Sequence, residues 1–410
     1  MNSPQGGGVT TETKLHYDPF LFYADPYPVY QRLRSEAPLY YNDARDLWVL
    51  SRFEDIQAVA RDWHGFGSSP TVVLDQESDF YAPGGFVDQD PPLHDRLRHV
   101  MAPYFSPKKI REFEPTVREI TRDLLRPFVE VGEIDIAAEL ARPLPARVIC
   151  SWLGFPPDDY VLLETWFAAM LERIPGQVEA PATAWEANDA MRAYIAEAAR
   201  EREQSPRDDL MSVLVAGERE GHLSSDEIIG MAIFLFYAGI ISTAGLISNS
   251  LLNLPRFPDQ LRLIASEASL IPTAVEELLR HEAPIQSLRR IAQNDSTLHG
   301  ESVPSGAQIL LIWGSANRDE ARWEQPERID FTRHEKRHLA FGEGIHYCIG
   351  APLARLEGKV AFEEVLPLMP EYDVLEPYER IYTPHERGLK SLRLRFDPKK
   401  RPRGCELARS

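Results

Sequence analysis

One cysteine lies in surroundings that predict a particular chemistry. Cys348 belongs to the stretch Phe341-Gly342-Glu343-Gly344-Ile345-His346-Tyr347-Cys348-Ile349-Gly350, and an apolar helical pattern follows it. A thiol at the beginning of a helix meets free backbone N–H groups and the positive end of the helix dipole, and both favour the thiolate. The glycines would let the backbone lie close to a flat cofactor. A thiolate that ligates iron favours cleavage of an O–O bond.

The residues alone leave two other interpretations of Cys348 open. One is a buried, inert cysteine next to a glycine turn. The other is a zinc ligand acting together with His346, although the sequence has no CxxC pair and no second histidine at ligand spacing.

Two further helical patterns carry charged residues at contact spacing. His94 and Arg98 are four positions apart and share one helix face, which is either a solvated basic stripe or a binding site for a carboxylate. Glu277 and Arg280 are three positions apart and can form an ion pair.

The longest apolar segment contains Ala238 and Gly239 near its middle. A glycine inside a helix costs about 1 kcal/mol relative to alanine, so Gly239 indicates either a close helix crossing or a ligand next to the backbone. Ser224 and Glu227 form a capping-box pattern at the beginning of this segment, which predicts a core helix that ends near Asn253.

The remaining patterns predict a mainly α protein with small β regions. Helical patterns at 161–171 and 184–202 predict a helix hairpin, and short strand signals occur at 47–51, 309–313 and 392–396.

Composition excludes several classes of protein. The 410 residues carry a net charge of −18, which disfavours nucleic acid as a partner. Three cysteines are too few for a disulfide framework and fit a reducing cytoplasm. The sequence begins with no signal-peptide pattern, and polar residues interrupt the apolar segment at 228–254, so we expect no membrane span.

The cysteine stretch resembles the haem signature of the cytochrome P450 family. The pattern Phe-Gly-x-Gly-x-His-x-Cys-x-Gly spans 341–350, and Ala-Pro-Leu-Ala-Arg at 351–355 resembles the bacterial members. The resemblance implies the P450 fold, with haem b between the long central helix and the helix after the cysteine loop. It covers residues 17–397 and implies one catalytic domain there, between a disordered N-terminal tail (1–16) and a C-terminal tail (398–410).

The same resemblance assigns roles to individual residues. Cys348 would be the axial ligand of the iron, and Glu277, Arg280 and Arg328 would be structural. The other residues that it places at the haem are Phe341, Gly342, Gly350 and Ala238, together with His94, Arg98, Arg290 and His338 at the propionates.

The sequence departs from the family in the central helix. The family pattern is Ala-Gly-x-acid-Thr, but here Ile241 is at the acid position and Ser242 at the alcohol position. The resemblance therefore makes Gly239, Ser242 and Thr243 the catalytic candidates. Because Ile241 cannot carry a proton, water, Thr243 or a substrate hydroxyl would have to deliver protons.

By family position, the substrate pocket is mostly apolar. The helix hairpin would form its lid, with a tip at 174–181. The predicted pocket residues are Phe86, Val87, Phe234, Tyr237, Ala238, Ile241, Ile285, Leu288 and the turn at Pro384-His385.

These features predict a cytoplasmic, monomeric monooxygenase of secondary metabolism that oxidises a small, mainly apolar molecule with O2. The sequence has no flavin or iron–sulfur motif, so NAD(P)H-derived electrons would arrive through a ferredoxin and its reductase. The alternatives are an oxidase that couples carbon atoms or aryl rings, and a peroxide-driven enzyme. A non-enzymatic haem sensor or electron carrier fits less well with a long helix over the haem and a lid.

Overall fold

The computed structural model describes residues 15–21, 24–74, 85–170, 181–333, 337–381 and 383–401. Three predictions fall largely or partly outside this range. They concern the N-terminal tail up to residue 14, the lid tip at 174–180 and the C-terminal tail from residue 402 onward.

The described chain is mainly helical, as predicted. The helices bury apolar faces in one large cluster that contains most of the core side chains. In chain order they are α1 (Tyr27–Glu36), α2 (Phe53–Arg61), α3 (Leu93–Met101), α4 (Pro107–Leu125), α5 (Pro143–Leu153), α6 (Tyr160–Met170), α7 (Ala182–Gln204), α8 (Leu210–Arg219), α9 (Ser225–Asn253), α10 (Pro258–Ser266), α11 (Ile271–His281), α12 (Trp313–Ala316) and α13 (Ala351–Leu368).

Helix α9 is the predicted central helix. Ser224 Oγ accepts a hydrogen bond of 3.3 Å from the backbone N–H of Glu227, and Ser224 N donates one of 2.9 Å to Glu227 Oε2, so the capping box is confirmed. By length and composition α9 could cross a membrane. Most of it is nevertheless buried against α5, α7 and α13, as expected of a core helix.

The strands form three small sheets. The largest has the order β1-β2-β8-β5-β3, in which β2 and β8 are parallel and the other pairs antiparallel; the others are β4-β10-β9 and β6-β7. The strands are β1 (Leu39–Asn42), β2 (Leu47–Leu50), β3 (Phe66–Gly67), β4 (Glu133–Asp135), β5 (Leu288–Ala292), β6 (Ser296–Leu298), β7 (Glu301–Val303), β8 (Gln308–Leu311), β9 (Tyr372–Arg380) and β10 (Leu389–Phe396). The three predicted strand signals correspond to β2, β8 and β10.

A buried ion pair joins α11 to the segment before the cysteine loop. Arg280 donates to both carboxylate oxygens of Glu277, at 2.7 and 2.9 Å. The prediction that the side chain of Arg328 joins this ion pair was wrong. The carbonyl oxygen of Arg328 accepts a hydrogen bond of 3.1 Å from Arg280, whereas its side chain bonds to Asp259 at the surface. Arg333 instead bonds to Glu277 Oε1 at 3.2 Å, because the chain turns between residues 328 and 333 and brings the later arginine inward.

Candidate active site

The cysteine loop is a tight turn that leads into α13. Cys348 N donates to the carbonyl oxygen of Phe341 at 2.9 Å, which closes the loop across Gly342 and Gly344. Both glycines have a positive φ, +71° and +70°. A Cβ at position 344 would lie 2.4 Å from the carbonyl oxygen of Ala60, so only glycine fits there.

The thiol of Cys348 lies on the wall of a cavity. Burial raises its pKa above the usual value, although N–H groups of Gly350 and Ala351 and the charge of Arg98 act in the opposite direction. The N–H groups at the helix start thus favour the thiolate, as predicted, whereas desolvation of the sulfur acts against it. A metal cation at the sulfur would reverse this balance, because a coordinating thiol is deprotonated.

The cavity lies between α9, α13 and the β-rich segments, and has a volume of about 340 Å³. Cys348 and Ser242 line the same cavity, although they are far apart in the chain. All but one of the residues predicted for the substrate pocket are on this wall: Phe86, Val87, Phe234, Tyr237, Ala238, Ile241, Ile285, Leu288 and His385. Pro384 is the exception, since it lines a separate, smaller pocket. Phe341, Gly342, Gly350, Arg98 and Arg290 line it as well.

Helix α9 presents its small residues to the cavity. Gly239, Ser242 and Thr243 all lie on the wall, and Ser242 Oγ donates 2.8 Å to the carbonyl oxygen of Ala238. A Cβ at Gly239 would lie 3.6 Å from Ile149 Cδ1, an ordinary contact. Packing against α5 thus does not require glycine at this position.

Arg98, Arg290 and His346 line one part of the cavity wall, and His94 contacts the ring of His346. His94 Nε2 and Arg98 Nη1 are buried without a hydrogen-bond partner among the described residues. The rings of His94 and His346 are 4.6 Å apart. Burial, followed by the charges of Arg290, His94 and Arg98, lowers the pKa of His346 to about 2. The unsatisfied guanidinium donor of Arg98 and the nearby charge of Arg290 are what an anionic carboxylate would complete.

The side chains of the neighbouring Arg289 and Arg290 have different surroundings. Arg289 bonds to the carbonyl oxygen of Thr71 (2.9 Å) and to Gln308 (2.6 Å), whereas Arg290 is buried on the cavity wall. Burial lowers the pKa of Arg290 to about 10, against the opposing effect of Asp90 and Asp88.

One predicted propionate residue does not belong to this group. His338 lies outside the cavity wall, with Nε2 3.3 Å from Glu276 Oε2. Although burial raises the pKa of Glu276, Arg355 and His338 together lower it to about 2. His346 takes the place predicted for His338, because the cysteine loop turns it toward Arg98 and Arg290. Its position two residues before Cys348 was the available signal.

Sequence reasoning missed the acidic residues of the wall, which are Asp88, Glu343, Glu357 and Glu386. Glu357 on α13 is buried, its Oε2 has no hydrogen-bond partner among the described residues, and burial raises its pKa well above the usual value. Glu386 follows the predicted contact His385 and lies on the wall near Tyr237. Neither Glu357 nor Glu386 has a local sequence signal, since each faces the cavity only through the tertiary fold.

A cysteine on the wall of a deep cavity, opposite a helix of small residues and next to an unsatisfied basic group, defines a haem-thiolate type of site. The sequence model described as Cytochrome P450 matches residues 265–369. Putative cytochrome P450 YjiB of Bacillus subtilis is 32% identical over 381 residues, which cover 90% of this chain and 94% of the relative. Cytochrome P450 monooxygenase PikC of Streptomyces venezuelae is 34% identical, covering 92% of each chain.

Solved structures agree with these relatives. The cytochrome P450 PksS of the bacillaene polyketide synthase, from Bacillus subtilis, superimposes with a TM-score of 0.86 at 32% identity, covering 93% of this chain and all of the other. The chain belongs to the cytochrome P450 family. It is an oxidoreductase of the monooxygenase type that has the P450 fold and uses haem and O2.

Proposed function

We propose that this protein is a monooxygenase of secondary metabolism that oxidises a small, mainly apolar organic molecule. The observation that carries the proposal is the shared cavity. Its wall joins the Cys348 thiol to Ser242 on the central helix and is otherwise mostly apolar. Such a pocket would orient a substrate by shape and a few polar groups.

The residues of the wall fit haem. Cys348 would bind the iron through its sulfur, and His94, Arg98, Arg290 and His346 would hold the propionates. When bound, haem with a thiolate ligand supplies the activation of O2. The loop glycines Gly342 and Gly350, with Phe341 and Ala238, would border the ring.

Protons would reach the pocket by a route that does not use residue 241. Ser242 already donates its hydroxyl proton to the carbonyl oxygen of Ala238, so its oxygen lone pairs are available to accept from water or from a substrate hydroxyl. Thr243 and Gly239 are beside it on the wall. We assign Ser242 and Thr243 to positioning this proton source.

The enzyme would work as a cytoplasmic monomer with one catalytic domain at 17–397. Electrons from NAD(P)H would pass through a ferredoxin reductase and a ferredoxin. We expect no nucleic acid and no membrane in its function.

The thiolate assignment is tested by the spectrum of the ferrous carbon-monoxide complex. Wild type should give the band of a thiolate-ligated haem, and Cys348→Ser should lose it. Cys150→Ala is the matched control, because Cys150 is fully buried in α5 and away from the cavity wall. A thiolate band that survives in Cys348→Ser would refute the assignment.

The reaction type is tested by product mass with purified ferredoxin, reductase and NADPH. A monooxygenase product gains one oxygen atom. The second candidate, an oxidase that couples carbon atoms or aryl rings, gives a product that has lost two hydrogen atoms. The observation behind this second candidate is Ile241, which lies on the wall next to Ser242 where the family pattern has an acid. Turnover with hydrogen peroxide and without reductase would instead identify a peroxide-driven enzyme.

A further inference from the structure

A compact polar cluster interrupts the apolar wall of the cavity. Tyr237 Oη donates a hydrogen bond of 2.9 Å to Glu386 Oε1 and lies 3.3 Å from His385 Nε2. His385 Nε2 is 3.7 Å from Glu386 Oε1. His385 and Glu386 are buried, and all three residues line the cavity. We call them the Tyr-His-Glu cluster.

The turn that carries His385 and Glu386 is held by backbone hydrogen bonds. Gln286 N donates 2.7 Å to the carbonyl oxygen of His385, and Arg387 N donates 2.7 Å to that of Pro284. The side chain of Thr383 accepts 2.7 Å from Glu386 N. The carboxyl group is therefore positioned by the fold and needs little reorganisation when a ligand binds.

The neighbouring Arg387 takes part in a buried network of ion pairs around Glu282. The guanidinium of Arg387 bonds to Glu282, which is also 3.0 Å from Arg318. The basic residues on the cavity wall, Arg98 and Arg290, belong with His346 to the part that we assigned to the propionates. The Tyr-His-Glu cluster thus gives the substrate side of the cavity an acidic group.

A buried carboxyl group favours cations and hydrogen-bond donors and disfavours anions. Hydrogen bonds that involve a charged group are about twice as strong as neutral ones, and water competes poorly inside an apolar cavity. An apolar body with one protonated amine would match both the apolar wall and the acidic cluster.

We propose that Glu386 is the substrate anchor and selects apolar molecules that carry a protonated amine, which shares the carboxyl group with the Tyr237 hydroxyl group. This inference rests on the proposed function of the cavity as a substrate pocket and adds a chemical class to it. Glu386 determines specificity in this proposal and takes no part in the chemical step.

The test compares three probes of equal chain length, dodecylamine, 1-dodecanol and dodecanoate, on the holoenzyme by calorimetry and by the shift of the haem absorption band. We expect the amine to bind about tenfold to a hundredfold more tightly than the alcohol, as for a hydrogen bond to a charged group. Dodecanoate should bind most weakly. Equal affinities, or tighter binding of dodecanoate, would overturn the proposal.

The haem band also reports where the amine is located. If the amine nitrogen binds at Glu386, the haem band should shift to shorter wavelength, as it does with 1-dodecanol. A nitrogen that ligates the metal shifts the band to longer wavelength, and this result would overturn the anchor.

Two variants of the cluster should differ in their effect on amine affinity. Glu386→Gln keeps the shape and removes the charge, so the advantage of amine over alcohol should disappear while alcohol affinity changes little. Tyr237→Phe removes a donor that shares the carboxyl group, so the amine should bind at least as tightly as in wild type. General damage to the pocket would weaken both probes in both variants and would contradict the proposal.

Glu379→Gln is the matched control, since Glu379 is exposed on β9 and pairs with Lys390. It should leave all three affinities unchanged. The carbon-monoxide spectrum distinguishes failure of the anchor from failure of the proposed function. If the thiolate band is normal but the amine binds no more tightly than the alcohol, only the role of Glu386 is refuted. If the thiolate band is missing, the proposed function is refuted, whatever the measured affinities.

Discussion

Arg98 Nη2 donates a hydrogen bond of 2.7 Å to the carbonyl oxygen of Tyr347, the residue before Cys348. The other terminal nitrogen, Nη1, is buried without a hydrogen-bond partner among the described residues. Arg98 therefore ties α3 to the cysteine loop and keeps a donor available on the cavity side. Burial lowers its pKa, against the opposing charges of Cys348 and Asp95.

We expect Arg98→Gln to weaken haem binding. The change removes a charged donor whose loss costs about 1.5–3 kcal/mol, which corresponds to at least about tenfold faster haem loss if the whole effect falls on dissociation. Haem transfer to excess apomyoglobin measures the rate. Arg96→Gln is the control, because Arg96 on the same helix pairs with Glu227, with Nη2–Oε1 at 2.6 Å. Equal transfer rates in the two variants would argue against a role for Arg98 at the haem.

Ser242→Ala should increase the share of reducing equivalents lost as hydrogen peroxide. Without the hydroxyl group, the proton source in the pocket is no longer positioned. Peroxide formed per NADPH consumed measures the effect. Ser248→Ala is the matched control, since Ser248 makes the same type of bond to Ala244 (2.7 Å) but is fully buried off the cavity wall. Unchanged coupling in Ser242→Ala would remove this residue from the mechanism.

Arg333→Gln should destabilise the fold more than Arg328→Gln. Arg333 bonds to the buried Glu277, so its removal leaves a buried carboxylate with fewer donors and should cost about 1–3 kcal/mol. Arg328 pairs with Asp259 at the surface, a contact worth about 0–1 kcal/mol. Urea unfolding of the two variants compares these costs. If Arg328→Gln were the more damaging change, the side chain of Arg328 would be the true third member of the group.

Glu357→Gln should stabilise the protein increasingly as the pH rises. Burial raises the pKa of Glu357 in the folded state, so the folded protein keeps a proton that the unfolded chain releases above about pH 4.3. The wild type therefore loses stability as the pH increases toward the folded-state pKa, and the glutamine variant does not. Urea unfolding of both proteins between about pH 4 and pH 7 measures the difference.

Glu276→Gln should show the opposite pH dependence of stability in the same urea experiment. Although burial of Glu276 raises its pKa, Arg355 and His338 together hold that pKa at about 2. The ionised Glu276 therefore contributes to stability above the unfolded-state pKa, and this contribution is lost in acid. This variant should lose stability relative to wild type as the pH rises from about 3 to about 6. Parallel slopes for the two glutamine variants would show that at least one of the two carboxyl groups lacks the environment described.

Features made by neighbours in the chain could be predicted from the sequence. The capping box of Ser224 and Glu227, the long α9 and the entry of the cysteine loop into α13 depend on contacts over a few residues. The spacing around Cys348 also carried the family resemblance. Because these interactions are local, their geometry follows from residue type and separation.

Contacts between distant segments were decided by the tertiary structure. It placed His346 rather than His338 next to Arg98, chose Arg333 over Arg328 as the side chain at Glu277, and brought Glu386 to Tyr237. It also raised the pKa of Cys348, since desolvation depends on the whole surrounding protein. The sequence thus determined which element carries the thiol and which helix faces it. Burial and long-range packing determined which charged groups share its cavity.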